Sequence, residues 1–240
     1  MKIEVWSDFV CPFCYIGKRR LEAAMEQFAH SDNITIEHKS YQLDPNARHI
    51  PGKNFYETFS ELKGLPLNQI IAINQQVAQE AKIVGLNYNF ETMKYTNTFD
   101  AQRVAKLAEQ KGKGMEVTER FLHAYFTESR LLSDHETLIE LAIEAGLERS
   151  EVAEVLSTNR FTKDVRNDID EARQIGVRGV PFFVLNEKYA LSGAQPAEVF
   201  LQALEKVWEE EKDRPIQKVS RTSSGTDFCV DGCCEVNEKE

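Results

Sequence analysis

The chain has 240 residues, of which 42% are hydrophobic and 28% are charged, and its formal net charge is -10 at pH 7. This length allows one large domain or two small ones with a sizeable core, and the composition is that of a globular protein. The negative charge argues against nucleic acid or an anionic membrane as a partner, because both carry negative charge themselves.

The sequence also lacks the signals of membrane insertion and export. No stretch approaches the ~18 consecutive apolar residues of a membrane span, and the N-terminus has no basic region followed by an apolar run. We therefore expect a cytoplasmic protein, in which structural disulfides are uncommon. Five cysteines form two separate clusters, which suits chemistry better than structural cross-linking: Cys11 and Cys14, then Cys229, Cys233 and Cys234.

The first predicted element is a strand that leads into two closely spaced cysteines. Ile3, Val5 and Trp6 give the strand its apolar residues, and a short turn follows before the C-P-F-C segment at 11–14. A helical pattern continues over 15–30. Two cysteines separated by two residues, between a strand and a helix, indicate a dithiol redox site.

The chemistry of such a site assigns different roles to the two thiols. Cys11 lies at the start of the helix, where unpaired backbone N–H groups and the helix dipole favour a thiolate, the reactive form of cysteine. Pro12 suits the first helical position, because its missing N–H would have no partner there. Cys14 lies one turn further on and can attack a mixed disulfide on Cys11. We predict Cys11 as nucleophile and Cys14 as resolving thiol; half of a zinc site, or two inert buried thiols, are the alternatives.

The middle of the chain changes from strand to helix. Residues 33–43 alternate apolar and polar side chains and predict a second strand, which 44–46 ends. A β-α-β order implies parallel strands and a right-handed crossover. Asp134 and Ser150 are candidate helix N-caps. Helical patterns then follow one another at 54–62, 66–85, 97–112, 114–128, 134–145, 149–157 and 159–175.

Strand chemistry returns near the end of the chain. Val180–Leu185 and Tyr189–Leu191 predict a β-hairpin around a turn at Asn186-Glu187. A final helix is predicted over 196–211. The chain therefore ends β-β-α, which completes a small mixed sheet with helices on both faces.

These elements predict an α/β protein with an interrupted domain. Residues 1–53 and 176–211 form the sheet-containing domain, and 54–175 form an all-helical insertion domain. Residues 212–240 are rich in Lys, Asp, Ser, Thr and Glu, so we expect a flexible tail.

Pro181 opens the first strand of the hairpin and bears on the cysteines. A proline at this point cannot donate to the strand ladder, and only X-Pro bonds adopt the cis form at low cost. We predict a cis Val180-Pro181 bond that faces the cysteines and leaves the Val180 backbone free to pair with an extended substrate. Pro12, Phe13, Val180 and Pro181 would then form the substrate groove. A trans proline at a strand edge is the alternative.

Motifs along the chain resemble the FrnE-like branch of the DsbA family. The matching segments are Ser7-Asp8, C-P-F-C-Y at 11–15, Gly17, G-V-x-G-V-P-F at 176–182 and S-G-A-Q-P at 192–196. They follow the family's order and spacing over residues 2–210. The resemblance implies a thioredoxin fold with a helical insertion, thiol–disulfide oxidoreductase activity and a cis proline at 181.

The helical insertion also resembles this family, with one departure. The segment N-T-F-D-A-Q-R at 97–103 is similar to the family's N-T-x-x-A-H-R, but Gln102 replaces the usual histidine, so no imidazole role is expected there. Asn97 and Arg103 either line the cleft opposite Cys11 or anchor their helix. Glutathione-dependent relatives, the kappa-class transferases and hydroxychromene carboxylate isomerases, carry serine at the position of Cys11. They represent the alternative enzyme class.

The residue before the second cysteine is expected to set the redox potential. DsbA proper has a histidine there that helps to stabilise the thiolate, whereas this chain has Phe13. Loss of that polar neighbour predicts a less oxidising protein, with a potential between about -120 mV and about -270 mV, the values of DsbA and thioredoxin.

The tail cysteines suggest a second exchange site. Cys229 and Cys234 form a C-x4-C pair that resembles a feature of some FrnE-like proteins, where it is taken to communicate with the C-x-x-C site, and Cys233 lies beside it. About 17 residues precede Cys229 after the last helix, and at ~3.4 Å per residue they reach up to ~55 Å. We expect disulfide exchange with Cys11. A soft-metal site in the tail, a tail without a role, and a zinc-binding module that uses both cysteine clusters are the alternatives.

The reaction partners expected are thiols and disulfides of proteins or small molecules. No cofactor or metal is required, because the disulfide itself is the redox group, and glutathione or another thiol is a candidate co-substrate. Other polar clusters receive structural interpretations: Asp168, Asp170 and Glu171 are expected to form a solvated helix face.

Overall fold

A computed structural model describes residues 1–212 and has a four-stranded mixed sheet at its centre. The strands are β1 (Lys2–Ser7), β2 (Thr35–Ser40), β3 (Phe182–Leu185) and β4 (Tyr189–Ser192), in the order β2-β1-β3-β4. Strand β1 pairs with β2 in parallel and with β3 antiparallel, and β4 pairs antiparallel with β3. The sheet therefore joins a β-α-β half to a β-β-α half, as the sequence predicts.

The helices occur where the 3.6-residue periodicity predicts them, with ends that differ by at most three residues. They are α1 (Pro12–Gln27), α2 (Phe55–Lys63), α3 (Leu67–Ile83), α4 (Phe99–Gln110), α5 (Gly114–Phe126), α6 (His135–Glu144), α7 (Arg149–Ser157), α8 (Thr162–Gln174) and α9 (Ala197–Lys212). Within residues 1–212, no helix has both the length and the apolar character needed to cross a membrane.

Side chains alternate across the sheet and give it two apolar faces. One face carries Ile3 and Phe183, which pack with Phe200 and Leu204 of α9 and with α1. The opposite face carries Trp6, which packs with Ala172 and Val177 at the end of α8. Helices therefore cover both faces, and the start of α1 lies where β1 ends.

The helical block packs around α4 and extends to the cysteines. Ala101, Val104, Ala105 and Leu107 of α4 are fully buried within one large apolar cluster. Phe9, Tyr15 and Ile16, which flank the C-P-F-C segment, belong to that same cluster. The segment thus lies at the junction between the sheet and the inserted helices.

One N-cap prediction is confirmed and another is wrong. The Asp134 side chain accepts a hydrogen bond from the Thr137 backbone N–H at 2.8 Å and caps α6. Helix α7 begins at Arg149 after Glu148, so Ser150 lies inside the helix rather than at its N-cap. A serine just inside a helix has the same local composition as a cap, and sequence alone does not separate the two.

The solvated face predicted for α8 is wrong at Asp168. Its carboxylate is buried, accepts a hydrogen bond from the Ser40 backbone N–H at 2.8 Å and pairs with Lys106. The physical reason is helical spacing, because Val165, Asp168 and Ala172 share the face of α8 that packs inward. The neighbouring Asp170 does remain exposed.

Candidate active site

The two cysteines lie at the N-terminus of α1. Cys11 is the N-cap residue, its backbone N–H donates to the Asp8 carbonyl at 3.0 Å, and Pro12 opens the helix. The Cys14 backbone N–H donates to the Cys11 carbonyl at 3.0 Å. Both are free thiols, and they are equally buried, with 4% of Cys11 and 3% of Cys14 exposed.

The segment before β3 packs directly against these cysteines. The Val180-Pro181 peptide bond is cis, and Cys11 Sγ donates a hydrogen bond to the Val180 carbonyl oxygen at 3.3 Å. Gly17 of α1 makes the approach of this segment possible. A Cβ at position 17 would lie 3.0 Å from Pro181 Cγ and 3.3 Å from Phe183 Cζ, which is closer than side-chain carbons usually pack.

Burial favours the protonated form of the Cys14 thiol. Removal from water and the neighbouring Cys11 sulfur raise the pKa of Cys14 well above its usual value. A hydrogen bond from the Ser7 side chain partly opposes this shift. A thiol with a raised pKa is a weaker initial nucleophile. Cys14 is therefore better suited to attack in the second step of an exchange reaction than in the first.

Asp8 fixes the loop that follows β2. It is almost fully buried, and its Oδ2 accepts a hydrogen bond from the Leu43 backbone N–H at 2.7 Å. Burial raises the pKa of Asp8 to about 6, although hydrogen bonds from Leu43 and Thr98 oppose the shift. Asp8 therefore connects the turn before Cys11 to the loop on the other side of the groove.

A large groove opens beside Cys11, with a volume of about 690 Å³. Most of its lining is aromatic or aliphatic and comes from α2, α3 and the segment before α4: Phe55, Phe59, Ile73, Phe90 and Tyr95. Of the predicted groove residues, Pro12, Phe13 and Val180 line it, whereas Pro181 packs toward Gly17. The Cys11 thiol therefore lies beside walls that are suited to contact with large apolar groups.

The structure places Arg103 and Asn97 away from this groove. Arg103 is buried, pairs with Asp100 at 2.7 Å and donates from Nε to the Arg160 carbonyl at 2.9 Å. Asn97 borders a different cavity of about 580 Å³, together with Gln42. Neither residue lines this groove, and Arg103 donates to a backbone carbonyl and a carboxylate of the helical insertion, as a residue that anchors its helix would.

Gln102 and His38 join the sheet to α4 beneath the site. Gln102 Nε2 donates to the carbonyls of Ser7 at 3.0 Å and Tyr41 at 3.1 Å, so its Oε1 faces His38 Nε2 at 2.9 Å. Burial lowers the pKa of His38 to about 4, so the imidazole is neutral near pH 7. No sequence motif singles out His38, although it shares the inward face of β2 with Ser40.

The tail cysteines lie outside the described residues. Cys229, Cys233 and Cys234 follow residue 212, where the description ends. Their exchange with Cys11 stays a prediction from the sequence.

Known proteins resemble the chain over nearly its full length. YwbO of Bacillus subtilis is 26% identical over 216 residues, which cover 84% of this chain and 94% of YwbO. The probable DsbA oxidoreductase SCO1869 of Streptomyces coelicolor is 36% identical with a TM-score of 0.85, over 96% of this chain and 98% of that structure. The cytosolic disulfide reductase DsbM of Pseudomonas aeruginosa, solved with GSH, is 17% identical with a TM-score of 0.61, over 87% and 100%, and shows the fold alone.

The family model agrees with these similarities and with the observed sheet. A DSBA-like thioredoxin domain matches residues 2–205, which include the C-P-F-C segment, the helical insertion and all four strands. Proteins with this domain are generally disulfide oxidoreductases. Because the match extends over most of its length, the chain belongs to the DsbA-like thioredoxin-domain family.

Proposed function

We propose that the protein is a thiol–disulfide oxidoreductase of the FrnE type that exchanges disulfides through its C-P-F-C segment. The observation that carries this proposal is the position of Cys11, at a helix N-terminus beside an open groove and 3.3 Å from the Val180 carbonyl. Cys14 lies one turn behind it, within the same helix.

The reaction takes place in two steps. The Cys11 thiolate attacks one sulfur of a substrate disulfide, so that a mixed disulfide forms and the other substrate sulfur leaves as a thiolate. Cys14 then attacks Cys11, which forms the Cys11–Cys14 disulfide and releases the second substrate sulfur. The substrate gains two electrons, the enzyme loses two, and the reverse sequence oxidises a substrate dithiol.

The groove supports a polypeptide as the substrate. Aromatic and aliphatic walls bind large apolar side chains, and an extended chain beside Val180 can pair with its backbone. Glutathione or another small thiol would serve as the co-substrate that returns the disulfide to the dithiol, without a metal or other cofactor. In the cytoplasm, where we propose that the protein acts, such thiol pools favour the reduced form at rest.

Single-cysteine variants test the proposal. Cys11→Ser is expected to lose turnover on a disulfide-bonded peptide completely. Cys14→Ser is expected to lose turnover as well, but to accumulate a mixed disulfide that mass spectrometry detects on Cys11. Equal loss without a trapped adduct, or a Cys11→Ser variant that keeps its rate, would exclude the assigned roles.

We further propose that the tail exchanges disulfides with Cys11. The C-x4-C spacing and the reach of the connecting segment support this step. Peptide mapping of the oxidised full chain is expected to find a link between Cys11 and a tail cysteine that disappears in the triple variant Cys229→Ser/Cys233→Ser/Cys234→Ser. A triple variant with unchanged turnover and unchanged metal content would favour a tail without a role.

A further inference from the structure

The two thiols face two different spaces. Cys11 lines the large apolar groove, whereas Cys14 lines a separate cavity of about 40 Å³ behind it. Most of the lining of this second cavity is apolar, and Ser7 of β1, His38 of β2 and Thr118 of α5 are the uncharged polar side chains in it. The groove therefore gives substrate access to Cys11, whereas Cys14 borders the smaller cavity.

Thr118 brings an unused hydroxyl to the cavity behind Cys14. Its side chain is 7% exposed, and its Oγ1 is buried without a hydrogen-bond partner among residues 1–212. A buried hydroxyl without a partner is costly, so native structures satisfy such groups with protein atoms or ordered water. A water molecule needs about 10–15 Å³ of such space, and the cavity of about 40 Å³ therefore has room for one.

We propose that this cavity holds an ordered water that exchanges the proton of the Cys14 thiol with solvent, and that Thr118 positions this water. The inference rests on the proposed function. As Cys14 attacks the mixed disulfide, the Cys11–Cys14 bond forms and the bond from Cys11 to substrate breaks. The substrate sulfur leaves as a thiolate, and the proton of Cys14 passes to the water. In the oxidising direction the same water returns a proton to Cys14.

The proton of the Cys14 thiol passes to solvent and not to a titratable group around the cavity. His38 is a poor acceptor, because burial lowers its pKa to about 4. Lys18 and Glu22 of α1 pair with each other, and their side chains are 13% and 31% exposed. Glu22 and Met115, which is 38% exposed, both line the cavity, so it borders solvent there and a water can pass the proton outward.

The reaction of the reduced triple variant Cys229→Ser/Cys233→Ser/Cys234→Ser, whose only cysteines are Cys11 and Cys14, with a chromogenic aromatic disulfide separates the two steps, and the substitutions below are made in this variant. Attack by Cys11 releases one coloured thiol, and resolution by Cys14 releases the second, so stopped-flow absorbance records two phases. We expect Thr118→Val, which keeps the shape but removes the hydroxyl, to leave the first phase unchanged and to slow the second about tenfold, the effect of one lost hydrogen bond. Thr118→Ser is expected to restore the second phase.

Several outcomes decide between the alternatives. A second phase of Thr118→Val within twofold of the native rate, or equal slowing of both phases, would overturn the proposal. The proposal also predicts a solvent isotope effect on the second phase when Thr118 is present, and the absence of this effect would do the same. A first phase that persists in Cys11→Ser would instead overturn the proposed function. If Thr118→Val does not fold, Thr118→Ala gives the same comparison against Thr118→Ser.

Discussion

Phe13 stands between the two cysteines in the position that is expected to set the redox potential. Its ring is 44% exposed and lines the groove, so a substitution there does not disturb the core. An apolar side chain offers no hydrogen bond or charge to a thiolate. The dithiol therefore receives less stabilisation in its ionised form than a polar neighbour would give.

We predict that Phe13→His makes the protein more oxidising. An imidazole at this position is expected to stabilise the thiolate form and to raise the potential by about 30 mV, which corresponds to about 1.4 kcal/mol. Equilibration with glutathione redox buffers measures this potential, and Phe13→Leu is the matched control that should stay near the native value. A native potential already near about -120 mV would contradict the assigned role of Phe13.

His38 makes the stability of the protein depend on pH. The unfolded chain protonates this imidazole near pH 6.5, whereas burial lowers the folded pKa to about 4. The unfolded state therefore binds more protons between these values, so stability is present at pH 7 and is lost as the pH falls toward 4. Asp8, whose pKa burial raises to about 6, acts in the opposite direction.

We predict that His38→Gln removes about 3 kcal/mol of this pH dependence between pH 7 and pH 4. Urea unfolding at both pH values measures it, and the contribution of Asp8 cancels because both proteins contain that residue. The control is His135→Gln, which removes a half-exposed histidine of α6. An equal pH dependence in the native protein and in His38→Gln would show that burial does not hold this imidazole neutral.

At the scale of elements, α2 and α3 form one wall of the groove. Phe55 and Phe59 of α2 and Ile73 of α3 contribute apolar surface to it. Ile73 is 40% exposed at this wall, and Ile83, which is 74% exposed, lies on the same helix outside the groove lining. The helix thus contains both a probe of the groove and a matched control.

We predict that Ile73→Glu weakens exchange with apolar peptides but not exchange with glutathione disulfide. Loss of one partly buried isoleucine costs about 1–2 kcal/mol, so KM for a cysteine-containing apolar peptide should rise about tenfold while the rate with glutathione disulfide stays unchanged. Ile83→Glu should change neither. Steady-state kinetics with both substrates provide the measurement, and equal effects of the two variants would exclude the groove as a peptide site.

The sequence predicts the structure well where neighbouring residues determine it and less well where residues distant in sequence determine it. Helices and strands agree because their periodicities reflect burial of neighbouring residues. Strand β2 ends at Ser40, earlier than the alternation over 33–43 predicts, because the Leu43 N–H donates to Asp8 instead of to β1. The local pattern does not contain that distant carboxylate.

The candidate active site also combines features that local sequence predicts with contacts between distant residues. Local motifs predict Cys11, Cys14 and Pro181, whereas the hydrogen bond of Gln102 to Ser7 spans 95 residues of sequence. Thr118 shares the inward face of α5 with Phe121 and Leu122, so the sequence indicates its burial. Only the assembled fold brings its hydroxyl to the cavity behind Cys14.

At the scale of the whole molecule, the match to the DsbA-like family ends before residues 213–240. The family model ends at residue 205, and α9, the last helix of the described residues, packs on the sheet. We predict that deletion of 213–240 leaves the free energy of unfolding unchanged within about 0.5 kcal/mol, the usual effect of changes outside a core. Both phases of the thiol reaction should match those of the triple variant Cys229→Ser/Cys233→Ser/Cys234→Ser. A truncated protein that loses its first phase would show that the tail completes the site.

The pairing of β1 with β3 affects how the chain is made. Strand β3 follows Cys14 by about 170 residues, and it supplies the antiparallel neighbour of β1. At ribosomal rates of about 5–20 residues per second, β3 emerges roughly 10–30 s after the cysteines. Throughout that interval the nascent chain presents both thiols before Val180 can meet Cys11. The oxidation state of the newly made protein therefore depends on the compartment in which translation takes place, before the chain has assembled its own groove.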